Sequence, residues 1–523
     1  MKFKLFIFLI LYSNNGFSQV FADWTNTLSP TIYPSASIND IKLDKNENVY
    51  ICGNIFDTLT GEQIPIVTKY SNSSGNILWE SYYNSPPFED QIYSISVDDS
   101  SNAYVTGTSD VSLVNDSGMT IKYYANGQFA WIRKYHDKGI DNVIDTAGNV
   151  YSLYYNNAIA IVKYDNYGNT QWVSRNDTSV AGNALYLYGI EIDKVGNLYV
   201  YGRIDNPTSQ CFVKKFNSNG VYQWQAFYNP SISIDYTTQV AVDDSLNVCL
   251  LAKVNSTGAG GIATVKYDAQ GQQRWIRVYQ QLQASSQSIQ IDKNYNVLVN
   301  GSITDSNSLK SYVVIKYDYN GLQNWIFKYD TAIASSGFLK YSVIDLDTNN
   351  NIYMVCTTLS PSNPCDIATV MIDNSSGNML WDIRYNNSYN LYDYAASVIS
   401  NDEGSAIYIS GTSTYLANPQ CQRITAIRYL NSVGFDELNS GNHLSIYPNP
   451  SSGIFTVTLS GVEGQSEKKI KSIKIYDILG ELVLFSEPNT NNPEFDLQSK
   501  SKGIYFISVD TQENTYNIKI IIQ

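Results

Sequence analysis

Residues 264–275 read TVKYDAQGQQRW, and the interval between the glycine and the tryptophan in that stretch decides the fold. Gly271 precedes Trp275 by four residues; the same interval joins Gly75 to Trp79, Gly127 to Trp131, Gly168 to Trp172, Gly220 to Trp224, Gly321 to Trp325 and Gly377 to Trp381. The pairs recur about every 50 residues, which marks one supersecondary unit reused around a symmetric object. One case is split. Trp24 has no glycine four residues before it, and Gly434 has Leu438 where its tryptophan belongs, so the beginning of the chain is expected to supply the strand that the last repeat lacks.

Each unit contains four extended segments, here called a to d, clearest at 94–97, 103–108, 119–124 and 129–135. Between a and b an Asp opens a short turn and an Asn follows four residues later, as in Asp44 and Asn48, Asp98 and Asn102, and so on to Asp347 and Asn351. The last repeat keeps Asp402 but has Ala406. Asp and Asn accept hydrogen bonds from nearby backbone N–H groups, so the pair reads first as a turn device. The c–d turn carries the glycine, which suits a hairpin position with positive φ. Four-stranded units of this length arranged radially make a β-propeller, which protects sheet edges by repetition and closure. The expected fold is therefore all-β: an eight-bladed β-propeller over residues 19–435, closed by the N-terminal strand, with Trp24 and the seven other tryptophans as its structural repeat.

Composition agrees. Of 523 residues 43 are Tyr and 32 Gly, and only 16% are charged, a profile of short strands and tight turns rather than amphipathic helices. The net charge of -14 argues against a nucleic-acid partner, because such binding rests on clustered Lys and Arg neutralising phosphates. Residues 1–18 open with Lys2 and Lys4, run through an apolar stretch at 5–11 and reach Gly16 and Ser18, the pattern of a secretory signal peptide. Nowhere else do apolar residues approach the roughly 20 that a transmembrane helix needs. Export permits disulfides, and Cys356 with Cys365 is the candidate bridge; the plainer reading makes Cys52, Cys249 and Cys356 small buried strand residues. A monomer is expected.

Segments 193–202 (DKVGNLYVYG) and 264–275 resemble the SBBP-type bacterial β-propeller repeat. That resemblance implies the fold and says almost nothing about activity. After a polar linker at 436–443, a different composition occupies 444–523. There LSIYPNP at 444–450, Gly453, IYDILG at 475–480 and GIYFI at 503–507 resemble the C-terminal sorting domain of the type IX secretion system of Bacteroidota, Gram-negative bacteria. Tyr447, Pro448, Asn449, Pro450, Gly480 and Gly503 carry the motif. The resemblance implies that the type IX machinery recognises this domain at the outer membrane, removes it, and leaves the rest secreted or anchored on the cell surface. Read on its own, the segment's short alternating strands between Gly, Asn and Pro turns form a small β-sandwich.

Chemistry in a propeller needs residues that break the repeat. Of the two histidines, His136 is the only one in the propeller region and lies beside Asp137 in a loop; His443 lies in the linker. A Ser-His-Asp triad or a His-based metal site has little material. Asp345, Asp347 and Asn349 alternate as calcium ligands do, but the glycine and the final glutamate of such a loop are missing, leaving a weak calcium candidate and otherwise no cofactor. The better lead is geometric. The a–b and c–d turns share one face and are short, whereas the b–c and d–a connections on the other face vary, and variable loops on a rigid scaffold are where binding usually sits. That face carries Tyr93, Tyr186, Tyr188, Tyr236, Tyr389, Tyr392 and Tyr394, which suit stacking on a glycan or anchoring a protein partner. A secreted binding protein is the first reading. The other is a polysaccharide hydrolase or lyase whose carboxylates, such as Glu191, Asp345, Glu89 and Asp90, converge at the channel mouth.

Overall fold

The structure is a computed structural model that describes residues 19–28, 35–56, 62–84, 89–110, 116–176, 184–206, 208–229, 236–256, 259–281, 283–304, 309–334, 342–358, 365–415, 422–432, 444–449, 451–459, 470–477, 482–488, 490, 492–511 and 515–522. The stretches read as a signal peptide (1–18) and as a linker (436–443), with Gly434, His443, Pro450 and Gly480, lie outside the described residues. Two compact units separate near residue 430.

All regular structure in the larger unit is antiparallel strand, in eight four-stranded sheets among the described residues. Sheet one runs Ser35–Leu43, Val49–Phe56, Gln63–Tyr70 and Ile77–Tyr82. Six more follow along the chain with the same order of neighbours, their first strands beginning at Asp90, Lys138, Ala184, Tyr236, Ser285 and Ser342. The last sheet is composite: Asp393–Ser400, Ala406–Thr414 and Gln422–Ser432 take Gln19–Leu28 as their fourth strand. An ion pair of 2.7 Å between Arg428 and Asp23 crosses this seam. The first strands of successive sheets pack side by side around a closed circuit, that of sheet eight against that of sheet one. Glu47 of sheet one completes the join, accepting 3.1 Å hydrogen bonds from Asn401 Nδ2 and the Tyr408 hydroxyl of sheet eight.

Burial explains the strand composition. Second strands are covered on both faces, so Val49–Phe56 and Ile352–Thr358 are nearly unbroken buried runs, while the outer strand Ile77–Tyr82 alternates. First strands carry a bulge, at Ile38/Asp40 in sheet one and Ile92/Ser94 in sheet two. Opposite it the second strand has Gly53 or Gly107, where an added Cβ would lie 2.0 Å from the Ser37 carbonyl oxygen or 1.9 Å from that of Gln91. The glycine in strand b thus admits the bulge that re-aims the inner strand.

The tryptophans join neighbours. The indole N–H of Trp131 donates to the Asn166 carbonyl (3.1 Å) in the next sheet's c–d turn, and Trp79 reaches Ala125, Trp224 Ala269, Trp275 Tyr319 and Trp325 Asn374 in the same way. Trp24 continues the series across the seam, to Asn72 at 2.6 Å. The glycine of each turn lies flat on the preceding sheet's indole: a Cβ on Gly168 (φ +81) would sit 2.8 Å from Trp131 Cδ2. Two tryptophans depart from the series: among the described residues Trp172 makes no such bond, and the buried Nε1 of Trp381 has no partner. Trp381→Phe should therefore cost about 0.5–1.5 kcal/mol less than Trp131→Phe, the net worth of one hydrogen bond; urea midpoints of the two variants measure it.

The turn aspartates are structural. Asp44 Oδ1 accepts the N–H groups of Asn46 and Asn48, its Oδ2 receives Lys69 at 3.0 Å, and the Tyr50 hydroxyl points to the same oxygen. One expectation is corrected: in sheet eight Asn401, not Asp402, holds the turn, its N–H bonding to the Ala406 carbonyl and its side chain accepting the Ala406 N–H. The turn there is one residue longer, which shifts the equivalence by one.

The smaller unit has two antiparallel sheets, one of Leu444–Tyr447, Ile454–Leu459 and Glu494–Asp496, the other of Ile470–Tyr476, Leu482–Ser486, Gly503–Thr511 and Thr515–Ile522. They share one apolar core that includes Phe455, Ile473, Phe495, Ile507 and Ile520. Tyr447, at the start of the YPNP motif, is 81% exposed, and Pro448 and Asn449 are exposed beside it.

Candidate functional site

Two places in the larger unit break the repeat: an aromatic patch at the loop ends of sheets four and five, and a carboxyl cluster on the inner strands.

The patch is built on a cross-strand pair. Tyr186 in the first strand of sheet four faces Arg203 in the second, and Tyr236 begins the first strand of sheet five. The Arg203 guanidinium lies between the two rings, 4.2 Å from the Tyr186 centroid and 4.6 Å from that of Tyr236, in contacts of the cation–π kind. Asp205 pairs with Arg203 at 3.1 Å and accepts a hydrogen bond from the Ser209 hydroxyl at 2.6 Å. Tyr188 stands close enough for its hydroxyl to feel the arginine, though burial pushes its pKa up to about 12. Arg203 is buried while Tyr186 is 42% and Tyr236 38% exposed, so a hidden charge holds two open rings in place.

The other tyrosines singled out from the sequence lie elsewhere on the ring. Tyr93, in sheet two, donates to Gln91 Oε1 (2.9 Å) and lies under Lys138. Tyr392 and Tyr394 at the start of sheet eight run parallel within 6°, 6.1 Å apart, and Tyr389 is well exposed nearby in sequence, its N–H bonded to Asn387. One continuous tyrosine surface thus resolves into patches on sheets two, four with five, and eight.

On the inner strands, the first residue after the bulge accepts a backbone N–H from the next sheet's first strand: Asp141 from Ile190 (3.0 Å), Gln239 from Ile289 (3.0 Å), and Asp40 and Ser94 from Ile95 and Asn142 at 3.4 Å. Ser288 serves Ile344 likewise at 3.1 Å. These side chains satisfy an edge that faces the centre. Two positions further on, Glu191 of sheet four and Lys42 of sheet one join the group, Lys42 bound to both oxygens of Asp40 at 3.0 Å. Enclosure by protein raises the Asp141 carboxyl to about 6. Glu191 rises to about 8, through burial first and then the Asp141 carboxylate. Both side chains retain partial exposure by area.

Of the acids named from the sequence, Glu191 belongs to this cluster. Asp345 lies on the inner strand of sheet seven, its Oδ2 accepting from the Ser400 N–H (2.7 Å) and hydroxyl (2.8 Å). Glu89 is exposed and Asp90 buried at the loop end of sheet two. Asp40, Asp141 and Tyr201 were not anticipated; for the two aspartates the signal lay in the position four residues before the turn Asp of sheets one to six, where Asp40, Ser94, Asp141, Gly189, Gln239 and Ser288 replace the apolar residue of a strand.

Two expectations fail. Cys356 and Cys365 are both free and buried: Cys356 pairs with Ala368, three residues beyond Cys365, which at about 3.3 Å per residue leaves roughly 10 Å where a disulfide tolerates about 7. The calcium loop fails because Asp345 is engaged with Ser400 while Asp347 turns to Asn349, Asn351 and Tyr353. Among the described residues no group of three or more acidic, His or Cys side chains is placed to hold a metal ion.

Comparison with known proteins gives the class. The family of secretion system C-terminal sorting domains matches residues 445–523, and the beta-propeller repeat family matches residues 85–113. The smaller unit is thus a type IX sorting domain, the larger one carries β-propeller repeats, and a chain so addressed is secreted or held at the cell surface. No helix among the described residues is long and apolar enough to cross a membrane. No curated protein matches the chain in sequence. Among solved structures it is similar to polysaccharide lyase Uly1 (12% identity, 67% of this chain and 92% of that one, TM-score 0.42). It is also similar to the β-propeller domain of the Trilobed protease from Pyrococcus furiosus (8%, 67% and 97%, TM-score 0.39). A protein of unknown function from Bacteroides caccae is a third (12%, 48% and 78%, TM-score 0.29).

Proposed function

We propose that the exported chain is a binding protein: an eight-bladed propeller closed by its first strand, followed by a sorting β-sandwich, with a glycan held on the patch of Tyr186, Tyr188 and Tyr236. The observation that carries this reading is Arg203, buried between two rings that stay open to solvent. Rings fixed before binding lose little entropy when a sugar stacks on them, and a guanidinium already paired with Asp205 orients them without offering a bare charge. The carbohydrate face is apolar and flat, which suits such a platform.

The test is affinity electrophoresis and titration of the purified protein against a panel of polysaccharides. Replacing Tyr186 and Tyr236 together by Ala should weaken binding of the retained glycan at least about tenfold, about 1.4 kcal/mol, with the urea midpoint little changed. Unchanged affinity removes the placement. Replacing Tyr389, Tyr392 and Tyr394 in the same assay locates any contribution of sheet eight.

The second reading, a polysaccharide hydrolase or lyase, draws on Asp141 and Glu191, two carboxyls with separated pKa values of about 6 and about 8. Product release by the wild-type protein, lost in Asp141→Asn, would establish it in place of simple binding.

A further inference from the structure

Gly189 breaks the ring of inner side chains that cap the next sheet's N–H groups. At its position sheets one, two, three, five and six carry Asp40, Ser94, Asp141, Gln239 and Ser288. Sheet four has no side chain there, and Tyr201, paired with Gly189 across the ladder, fills the space: a Cβ on Gly189 would meet the Tyr201 hydroxyl at 2.3 Å and Asp141 Oδ2 at 2.9 Å. The phenol oxygen and the carboxylate oxygen are therefore no more than about 5 Å apart, a gap that one N–H donor group with several hydrogens can bridge. Tyr201 is 7% exposed, and among the described residues nothing bonds to its hydroxyl. Glu191 sits two residues along the same strand and so projects on the same side of the sheet, and it too has no hydrogen-bond partner among the described residues.

Charge names the missing group. Asp40, Asp141 and Glu191 bring three carboxyls into mutual range, against which stands the single ammonium of Lys42, already held by both oxygens of Asp40. Asp141 accepts backbone N–H groups but has no cationic neighbour of its own among its bonded partners. What fits is a group with positive charge and several N–H donors, compact enough to reach a phenol oxygen and two carboxyls together. A bare metal ion does not fit, since no three acids among the described residues are placed to coordinate one. The side chains of Lys42 and Asp40 are 42% and 24% exposed, so the inner space is open to a solute.

We propose that the inner channel binds a primary ammonium group at Glu191, Asp141 and Tyr201, as a small amine or as the amino group of a larger ligand. Three donors of one ammonium meet three oxygen acceptors, and the cation offsets the excess of carboxyls.

The experiment is calorimetric titration of the full chain with methylammonium chloride, with tetramethylammonium as the cation lacking N–H donors and urea as the neutral donor. The wild-type protein should bind methylammonium at one site and neither of the others. Glu191→Gln and Tyr201→Phe should each weaken that binding at least tenfold; Tyr201→Phe removes a single hydroxyl and keeps the packing, so it guards against a folding artefact. Absence of binding by the wild type, equal binding of tetramethylammonium, or loss in only one of the two variants overturns the assignment. Retention of the glycan signal in both variants separates this site from the aromatic patch.

Discussion

Replacing Trp24 by Ala will lower the unfolding free energy of the larger unit by about 3–5 kcal/mol, although the residue sits only a few positions inside the first described strand. An edge strand near a terminus is usually expendable. This one is not, because its indole is the joint between sheet eight and sheet one. The ring is stacked on Tyr70 of sheet one at 6.4 Å, tilted against Tyr408 of its own sheet at 6.4 Å, and bonded through Nε1 to the Asn72 carbonyl. Gly75 lies against its face, where even a methyl group would come within 2.5 Å of Cδ2. Removing the indole opens a cavity walled by two rigid sheets, which cannot collapse without breaking the circuit, so the cost belongs at the upper end for large-to-small changes. Trp24→Phe keeps most of the contact and loses the hydrogen bond, for about 1–2 kcal/mol. Urea titration followed by tyrosine and tryptophan fluorescence measures both. A loss below about 1 kcal/mol for the alanine variant would mean that the first strand does not hold the ring shut.

What made that joint legible was an interruption in a rhythm: seven Gly–Trp intervals define what the eighth lacks, and Trp24 is the one tryptophan left to supply it. The strand composition and the turn aspartates were legible for the same reason, since each is repeated and each has a local physical cause. Lys69, Lys266 and Lys316, which reach the turn aspartates from strand c, were less so: a lysine inside an apolar strand reads as an outward residue until the fold shows Asp44, Asp243 and Asp292 beside it.

The sites were harder to read because the ring assembles them from distant sheets. Tyr186 and Tyr236 were visible as loop-end aromatics, but the Arg203 that fixes them is an ordinary strand residue in sequence, and only the ladder register places it across from Tyr186. Asp141 and Glu191 share a site because the inner strands of sheets three and four are bulged at the same place and aim the next side chains alike. The mistaken disulfide came from the same gap: nearness in sequence suggested Cys356 and Cys365, whereas the register of strands b and c sets them three residues out of step.

Glu191→Gln will stabilise the protein in alkaline solution and leave it nearly unchanged in mild acid. The folded pKa of Glu191, about 8, lies above its ordinary value of 4.5, with burial as the first cause and the Asp141 carboxylate as the second. A raised carboxyl binds its proton more tightly in the folded chain than in the unfolded one. The wild type therefore has its full stability below pH about 4.5 as far as this group is concerned, and loses it progressively as pH rises to about 8. Every tenfold gain in proton affinity on folding is worth about 1.4 kcal/mol, and water in the channel together with Lys42 absorbs part of the penalty, which leaves about 2–4 kcal/mol at pH 9. Glutamine has the same shape and no proton to lose, so the variant should lie within about 1 kcal/mol of the wild type at pH 5 and exceed it by the full amount at pH 9. Asp141 titrates in both proteins at lower pH, around 6, and so largely cancels from the difference. Urea midpoints measured at half-unit steps between pH 5 and 9 trace the divergence. A constant offset across that range would show that the Glu191 carboxyl ionises freely, and the channel would then be an ordinary solvated surface without the electrostatic strain that a bound cation relieves.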